Sequence, residues 1–210
     1  FDMDDSDQSL LTLSTSNSFF NNNIMGCPSN YCVQLVAGTN NNFTNNTLIG
    51  DDSIVIDDGS GIFIDGELNT TGIYFSGSAA GNITIAQSVY FNITNSTLDG
   101  LDNSQVLVND LFGAGVINAM TNSTGLTGYY VLNEFLENKT ERINYSPHQV
   151  NVSLAGYNSN NSLVNISELE DFEIQKTLEI FVGGSLAIQQ NEPAEFLLID
   201  NGAIFNYSVN

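Results

Sequence analysis

Val89-Tyr90-Phe91-Asn92-Ile93-Thr94 is the stretch that decides the fold class. In an extended chain successive side chains point to opposite faces, so Val89, Phe91 and Ile93 share one side while Asn92 and Thr94 share the other. That spacing suits a strand with one buried and one wet face. Val150-Asn151-Val152-Ser153-Leu154, Asn82-Ile83-Thr84-Ile85 and Phe205-Asn206-Tyr207-Ser208-Val209 repeat the pattern.

Outward from these segments, no helix-period pattern persists. Short β-branched and aromatic runs, bounded by Gly, Asn and Asp, recur along the chain. Strands are expected near 9–15, 31–37, 53–57, 61–65, 72–77, 82–86, 88–94, 128–135, 149–154, 178–182, 185–188, 194–199 and 203–209. Asp57-Asp58-Gly59-Ser60-Gly61, between Ile54-Val55-Ile56 and Ile62-Phe63-Ile64, reads as a hairpin turn, as does Asp200-Asn201-Gly202. Gln105 to Val108 reads as a strand, and Asn109 to Met120 has room for a short helix. The Asn runs at 21–23 and 40–46 read as loops, and no internal repeat stands out. The expected class is all-β, an immunoglobulin-like or jelly-roll β-sandwich. Residues 1–24 are expected as an acidic segment with an exchangeable strand, and 25–210 as one sandwich domain with Asn-rich loops.

Composition narrows the partners. The formal net charge is −21 over 210 residues, and Lys139, Arg142 and Lys176 are the only basic residues. Binding to a phosphate backbone needs clustered Lys and Arg, so nucleic acid is excluded, and anionic lipid is disfavoured. No run of about 18 apolar residues occurs, so no helical membrane insertion is expected. Only 13% of residues are charged, and the polar surface falls to 30 Asn, 21 Ser and 15 Thr.

Asn-x-Ser/Thr, the N-glycosylation acceptor, occurs at Asn42, Asn45, Asn69, Asn82, Asn92, Asn95, Asn122, Asn138, Asn144, Asn151, Asn160, Asn165 and Asn206. Composition alone predicts about five, so the 13 sites are a more than twofold surplus. The strand pattern turns the acceptors at 82, 92, 151 and 206 outward. These sites imply N-linked glycans and a secreted or cell-surface location. Phe1-Asp2-Met3-Asp4-Asp5 lacks an initiator Met and reads as a mature N-terminus left by removal of an export signal. Cys27 and Cys32 bracket a short Pro-Ser-Asn-Tyr turn and suit a local disulfide.

The sequence carries no catalytic motif. His148 is the single histidine, and no nucleophile elbow, phosphate loop or His-Glu-x-x-His is present. Adjacent carboxylates on a strand face opposite ways, which argues against a glycosidase pair. No catalytic residue is assigned, an enzyme is not expected, and no cofactor is expected beyond the glycans. Asp57 and Asp58 are the candidate ligands for a cation, of which calcium is the one that takes hard oxygens.

At the N-terminus, acidic residues precede Leu10-Leu11-Thr12-Leu13, and Phe19-Phe20 follow. Either this is the first strand of its own domain, or it completes the sheet of a neighbouring subunit by strand addition. In the second case Leu10, Leu11, Leu13, Phe19 and Phe20 are the subunit contacts, and the head-to-tail geometry gives an open filament.

Leu178-Glu179-Ile180-Phe181-Val182-Gly183-Gly184-Ser185-Leu186-Ala187-Ile188 and Ile204-Phe205-Asn206-Tyr207-Ser208-Val209-Asn210 resemble the end of a bacterial family of domains of unknown function. That family is built as a pilin-like, immunoglobulin-type sandwich. Gly72-Ile73-Tyr74-Phe75-Ser76-Gly77 and Asn82-Ile83-Thr84-Ile85 are similar to its middle strands. The match covers roughly a third of the chain, and the Asn-rich stretches from 101 to 165 depart from it. By position and pattern the N-terminus is distantly similar to secreted biofilm-fibre subunits and archaeal surface threads. Both resemblances imply an extracellular fibre held by strand exchange, and neither carries catalytic residues.

The expected function is therefore a glycosylated structural subunit of a pilus- or thread-like surface filament, a homopolymer assembled by donor-strand exchange. The alternatives are a glycan-binding or adhesive sandwich module, and a surface-layer or viral coat protein.

Overall fold

Phe20-Asn21-Asn22-Asn23, Phe43-Thr44-Asn45-Asn46 and Phe63-Ile64-Asp65-Gly66 are equivalent segments of three stacked rungs. The computed structural model describes residues 11–14, 16–26, 31–49, 54–76, 80–168, 172–181, 189–191, 195–200 and 203–208. Among the described residues up to 76 the strands pair only in parallel. The first rung holds β1 (Leu11–Leu13), β2 (Phe19–Asn21) and β3 (Ile24–Gly26). The second holds β4 (Val33–Leu35), β5 (Asn41–Thr44) and β6 (Thr47–Ile49). The third holds β7 (Ile54–Ile56), β8 (Ser60–Ile64) and a bridge from Glu67 to Thr47. β9 (Ile73–Phe75) and the start of β10 (Asn82–Thr94) close the stack. Leu11, Val33, Ile54 and Ile73 are successive partners on one face. Phe20, Phe43, Phe63 and Ile85 are successive partners on the next. The result is a three-faced parallel solenoid.

Local chemistry explains the shape. The corner residues Asn22, Asn45 and Asp65 have φ of 57°, 52° and 55°. Asn and Asp tolerate that left-handed backbone because their short polar side chains bond locally. Inside the corner, Asn41 and Asn46 are buried and tie rung to rung. Asn41 accepts from the Ser18 N–H (3.1 Å) and donates to the Ser60 carbonyl (3.1 Å). The rings of Phe20, Phe43 and Phe63 stack at 5.0 and 4.2 Å, with planes 12° and 4° apart. Around them Val33, Leu35, Ile54, Ile56 and Ile83 are fully buried in one core.

This corrects three expectations. The Asn runs are strand and corner, not loop. A repeat exists, but it is carried by one aromatic and one corner residue per rung of about 20 residues, too sparse for identity to reveal. Asp57 to Gly61 is no hairpin: β7 and β8 lie in different sheets, each paired in parallel to the rungs beside it. Gly59 is needed there for close approach, since a Cβ would meet the Leu35 Cβ at 2.9 Å.

β10 runs on out of the solenoid. Beyond it come β11 (Gln105–Asn109), β12 (Gly115–Met120), β13 (Tyr130–Asn138), β14 (Arg142–Asn144), β15 (His148–Ser153), β16 (Asn160–Val164) and β17 (Glu173–Thr177). One sheet is formed where β10 pairs antiparallel with β13 and, further along, parallel with β17. The other is antiparallel, in the order β12-β11-β15-β16. Val89, Phe91, Ile93, Leu132 and Ile174 of the first share a core with Val106, Val108, Ile117, Val150 and Val152 of the second. This is the expected β-sandwich, but it occupies the segment after the solenoid and not the whole of 25–210. The short helix allowed over 109–120 is replaced by β12. Gly72 to Ser76, likened to a middle sandwich strand, belongs to the solenoid through β9.

β18 (Gln189–Asn191), β19 (Glu195–Asp200) and β20 (Ala203–Ser208) form an antiparallel meander. Asp200 stands opposite Ala203, as the second hairpin requires. Of the expected strand 178–182, the described residues make only a bridge at Ile180, and 185–188 lies outside the described residues.

Candidate functional site

The asparagines divide by burial. Asn41 and Asn46, at 0% and 1% exposure, are the fully enclosed ones among the described residues, and neither begins a sequon. The acceptors Asn45, Asn69, Asn122 and Asn144 are exposed. Asn42, Asn82, Asn92, Asn95, Asn138, Asn151, Asn160 and Asn165 are half-buried, and none is enclosed. The side chain of Asn206 lies outside the described residues. On β10 and β15 the alternation falls as the sequence has it, with Phe91, Ile93, Val150 and Val152 inside and Asn92 and Asn151 outside. Thr94 departs from it: packing covers this residue, and its hydroxyl has no partner among the described residues.

Four acceptors sit in turns of one design. Asn69, Asn95, Asn122 and Asn138 each accept, through Oδ1, from the backbone N–H two residues on (3.1, 2.9, 3.0 and 2.8 Å). The Thr at that same position, Thr71, Thr97, Thr124 or Thr140, places its Oγ1 2.7–2.8 Å from the same Oδ1. Asx turns form because a short amide mimics a backbone carbonyl. At Asn95 a carboxylate intervenes: Nδ2 donates to Asp99 Oδ2 at 3.1 Å. Hydrogen bonds from Thr97 and then Asn95 hold the Asp99 carboxyl below its ordinary range. In β10, Asn92 Nδ2 is likewise tied to Glu173 Oε1 at 2.7 Å.

The remaining sequence candidates scatter. Cys32 is fully buried and is not a free thiol; its expected partner Cys27 lies outside the described residues. Asp57 accepts from Gln34 Nε2 at 3.0 Å and Asp58 from the Ala80 N–H at 3.2 Å, so each carboxylate is employed within the solenoid. Among the described residues no three His, Cys, Asp or Glu side chains are close enough to hold a metal ion. Leu13 is buried in the rung core and Phe20 stacks on Phe43, while Phe19 is 77% exposed. Leu11 lies in β1, paired in parallel to β4 of the same chain, and Leu10 is outside the described residues.

Two features were not legible beforehand. A cleft of about 490 Å³ beside the third rung is lined by Asp65, Glu67, Gln87, Glu134 and Phe172. Burial raises the Glu134 carboxyl, against an opposing pull from Arg142. Arg142 also bonds Glu137 and the Thr70 carbonyl and lies 4.1 Å over the Phe135 ring. The second feature is His148, buried in the sandwich with no partner for Nδ1 among the described residues. Burial holds it below its ordinary value, with Asp110 opposing. Among the described residues no helix is long and apolar enough to cross a membrane.

No family model matches the chain, and no curated protein matches it in sequence. Among solved structures the chain is similar to the Bacillus anthracis TIE protein, at a TM-score of 0.33 and 12% identity. That likeness covers 64% of this chain and only 28% of that one. At this score it carries no argument about fold or function.

Proposed function

We propose that the chain is a secreted, N-glycosylated structural subunit of a surface filament, built from identical copies. The carrying observation is the division of the asparagines: among the described side chains those that begin sequons are exposed or half-buried, and the two that are enclosed begin none. An Asn-rich solenoid alone requires buried amides, but it gives no reason for the sequons to avoid them. Intact mass of native material before and after enzymatic deglycosylation tests this. A bare polypeptide mass refutes the glycoprotein reading.

For assembly, the first rung supports the expectation that contact is made through the N-terminal segment. β1, β2 and β3 are each the edge strand of their sheet, and unpaired edges accept further strands. Phe19 and Ile24, both 77% exposed, lie on that rung. The finer reading, that β1 leaves its own sheet to complete a neighbour's in the pilin-like manner, belongs to this proposal. Phe19→Asp with Ile24→Asp leaves the buried Leu13 and the part-buried Phe20 in place. Negative-stain microscopy should then show monomers where the unaltered chain shows filaments. Filaments from the double variant refute assembly through this rung.

An adhesive module is the second reading, favoured by the outer face of the four-stranded sheet. Asn118, Leu107, Asn151 and Asn161 form one cross-strand row there, and Asn109, Gln149 and Leu163 the next. This uncharged, amide-lined face borders a hollow of about 510 Å³ and suits neutral sugar hydroxyls. A glycan at Asn151 would cover it, so occupancy of that one site separates the two readings.

A further inference from the structure

We infer that the sequons fall into two kinetic classes: Asn122 and Asn138 are modified on the folded chain, whereas Asn92 and Asn151 accept glycan only before folding. The inference rests on the glycoprotein reading above and concerns its chemistry. In N-glycosylation Nδ2 bonds to the anomeric carbon of a sugar diphosphate carried on a lipid. The carbon–oxygen bond to the diphosphate breaks, and the leaving oxygen keeps the electron pair. Nδ2 gives up one proton to a base of the transferase. The acceptor must therefore bring Nδ2 out of its own chain and into another protein's site.

Asn122 and Asn138 already meet that demand. Asn122 lies in a turn, and Asn138 is the last residue of β13, paired with Asn82 at the end of its ladder and opening the turn to β14; each has its Oδ1 held by the N–H and hydroxyl of the Thr at the second following position, and no hydrogen bond engages either Nδ2 among the described residues. Asn151 lies between two ladder partners, opposite Leu107 on one side and Asn161 on the other. Asn92 pairs with Gln175 and bridges to Leu126. Its Nδ2 is bonded to Glu173, and Thr94, the hydroxyl residue of its sequon, is buried. To enter a transferase either strand must first open, and opening a paired core strand is a rare sub-global event. Asn95 is the intermediate case, with the right turn but with Nδ2 held by Asp99.

The experiment uses the full chain made without glycan in a host lacking the transferase. It is offered, folded or urea-unfolded and diluted, to microsomal membranes carrying a lipid-linked oligosaccharide, and occupancy is read by glycopeptide mass spectrometry. On the folded chain, Asn122 and Asn138 should exceed Asn92 and Asn151 by at least about tenfold, and unfolding should bring the four within about twofold. Asp99→Ala should raise Asn95 on the folded chain severalfold and leave Asn122 unchanged. Equal occupancy of strand and turn sites on the folded chain overturns the inference. So does failure of Asn122 and Asn138 to accept when folded although they accept when unfolded. A native protein without glycan, combined with the predicted in vitro pattern, removes the proposed function and leaves this geometry standing.

Discussion

Asn46→Ala should destabilise the solenoid far more than any exposed asparagine does. The Asn46 side chain is saturated: Oδ1 accepts from the N–H and Nδ2 of Asn23, both at 3.0 Å. Its Nδ2 donates to the Phe20 carbonyl at 3.2 Å and the Thr44 carbonyl at 3.1 Å. At 1% exposure, water has little access to stand in for it. A typical internal hydrogen bond is worth about 1 kcal/mol net, and an orphaned buried group costs about 1–3 kcal/mol. The Thr44 carbonyl keeps a partner in the Asn22 N–H, and Asn23 is part-exposed, so the groups left unpaired are fewer than four. The expected loss is about 3 kcal/mol. The variant keeps the Asn45-x-Thr47 sequon, so glycosylation does not confound the reading. Urea unfolding followed by tyrosine fluorescence and circular dichroism measures it, with Asn118→Ala, exposed on the edge strand β12 and outside any sequon, as the control. A loss under about 1 kcal/mol, no greater than that of the control, refutes the view that the Asn runs are the buried corners of stacked rungs.

Three further outcomes follow from the same geometry. Gly59→Ala should lose about 1–3 kcal/mol through the 2.9 Å contact with Leu35 in the same urea titration, whereas exposed Gly113, with open space around it, should resent Ala only for its φ of 82°. His148 is held below its ordinary value in the fold, so the unfolded chain takes the proton first. The stability that the neutral ring contributes is whole above about pH 6.5 and falls as pH drops toward the folded value. Thermal melts from pH 8 to 5 should show that decline, and His148→Gln should flatten it. Glu134, raised by burial, acts in the opposite sense, contributing below its unfolded value and costing stability once ionised; Glu134→Gln should raise the melting temperature at pH 7 and lose that gain near pH 4.

Local pattern was enough to show that this chain is built of strands, and where several of them turn their faces. Alternation around Asn92 and Asn151 is a local property of extended backbone, and tertiary packing had only to bury the face already apolar. The hairpin at 200–203 was legible for the same reason, because the turn and its strands are neighbours in sequence. Whether Ile54-Val55-Ile56 would fold back on Ile62-Phe63-Ile64 was not local. Both a hairpin and a solenoid corner accept Asp-Asp-Gly-Ser-Gly, and the choice fell to Phe43 and Leu35, about 20 residues away, which offer each strand a parallel partner. The same holds for the sequons. The sequence revealed 13 sites where composition predicts about five, but only the structure separated the enclosed amides of Asn41 and Asn46 from the surface ones, and the turn acceptor Asn122 from Asn92 and Asn151 within their ladders. Burial and pairing depend on what the chain brings from a distance, and no window of neighbouring residues contains it.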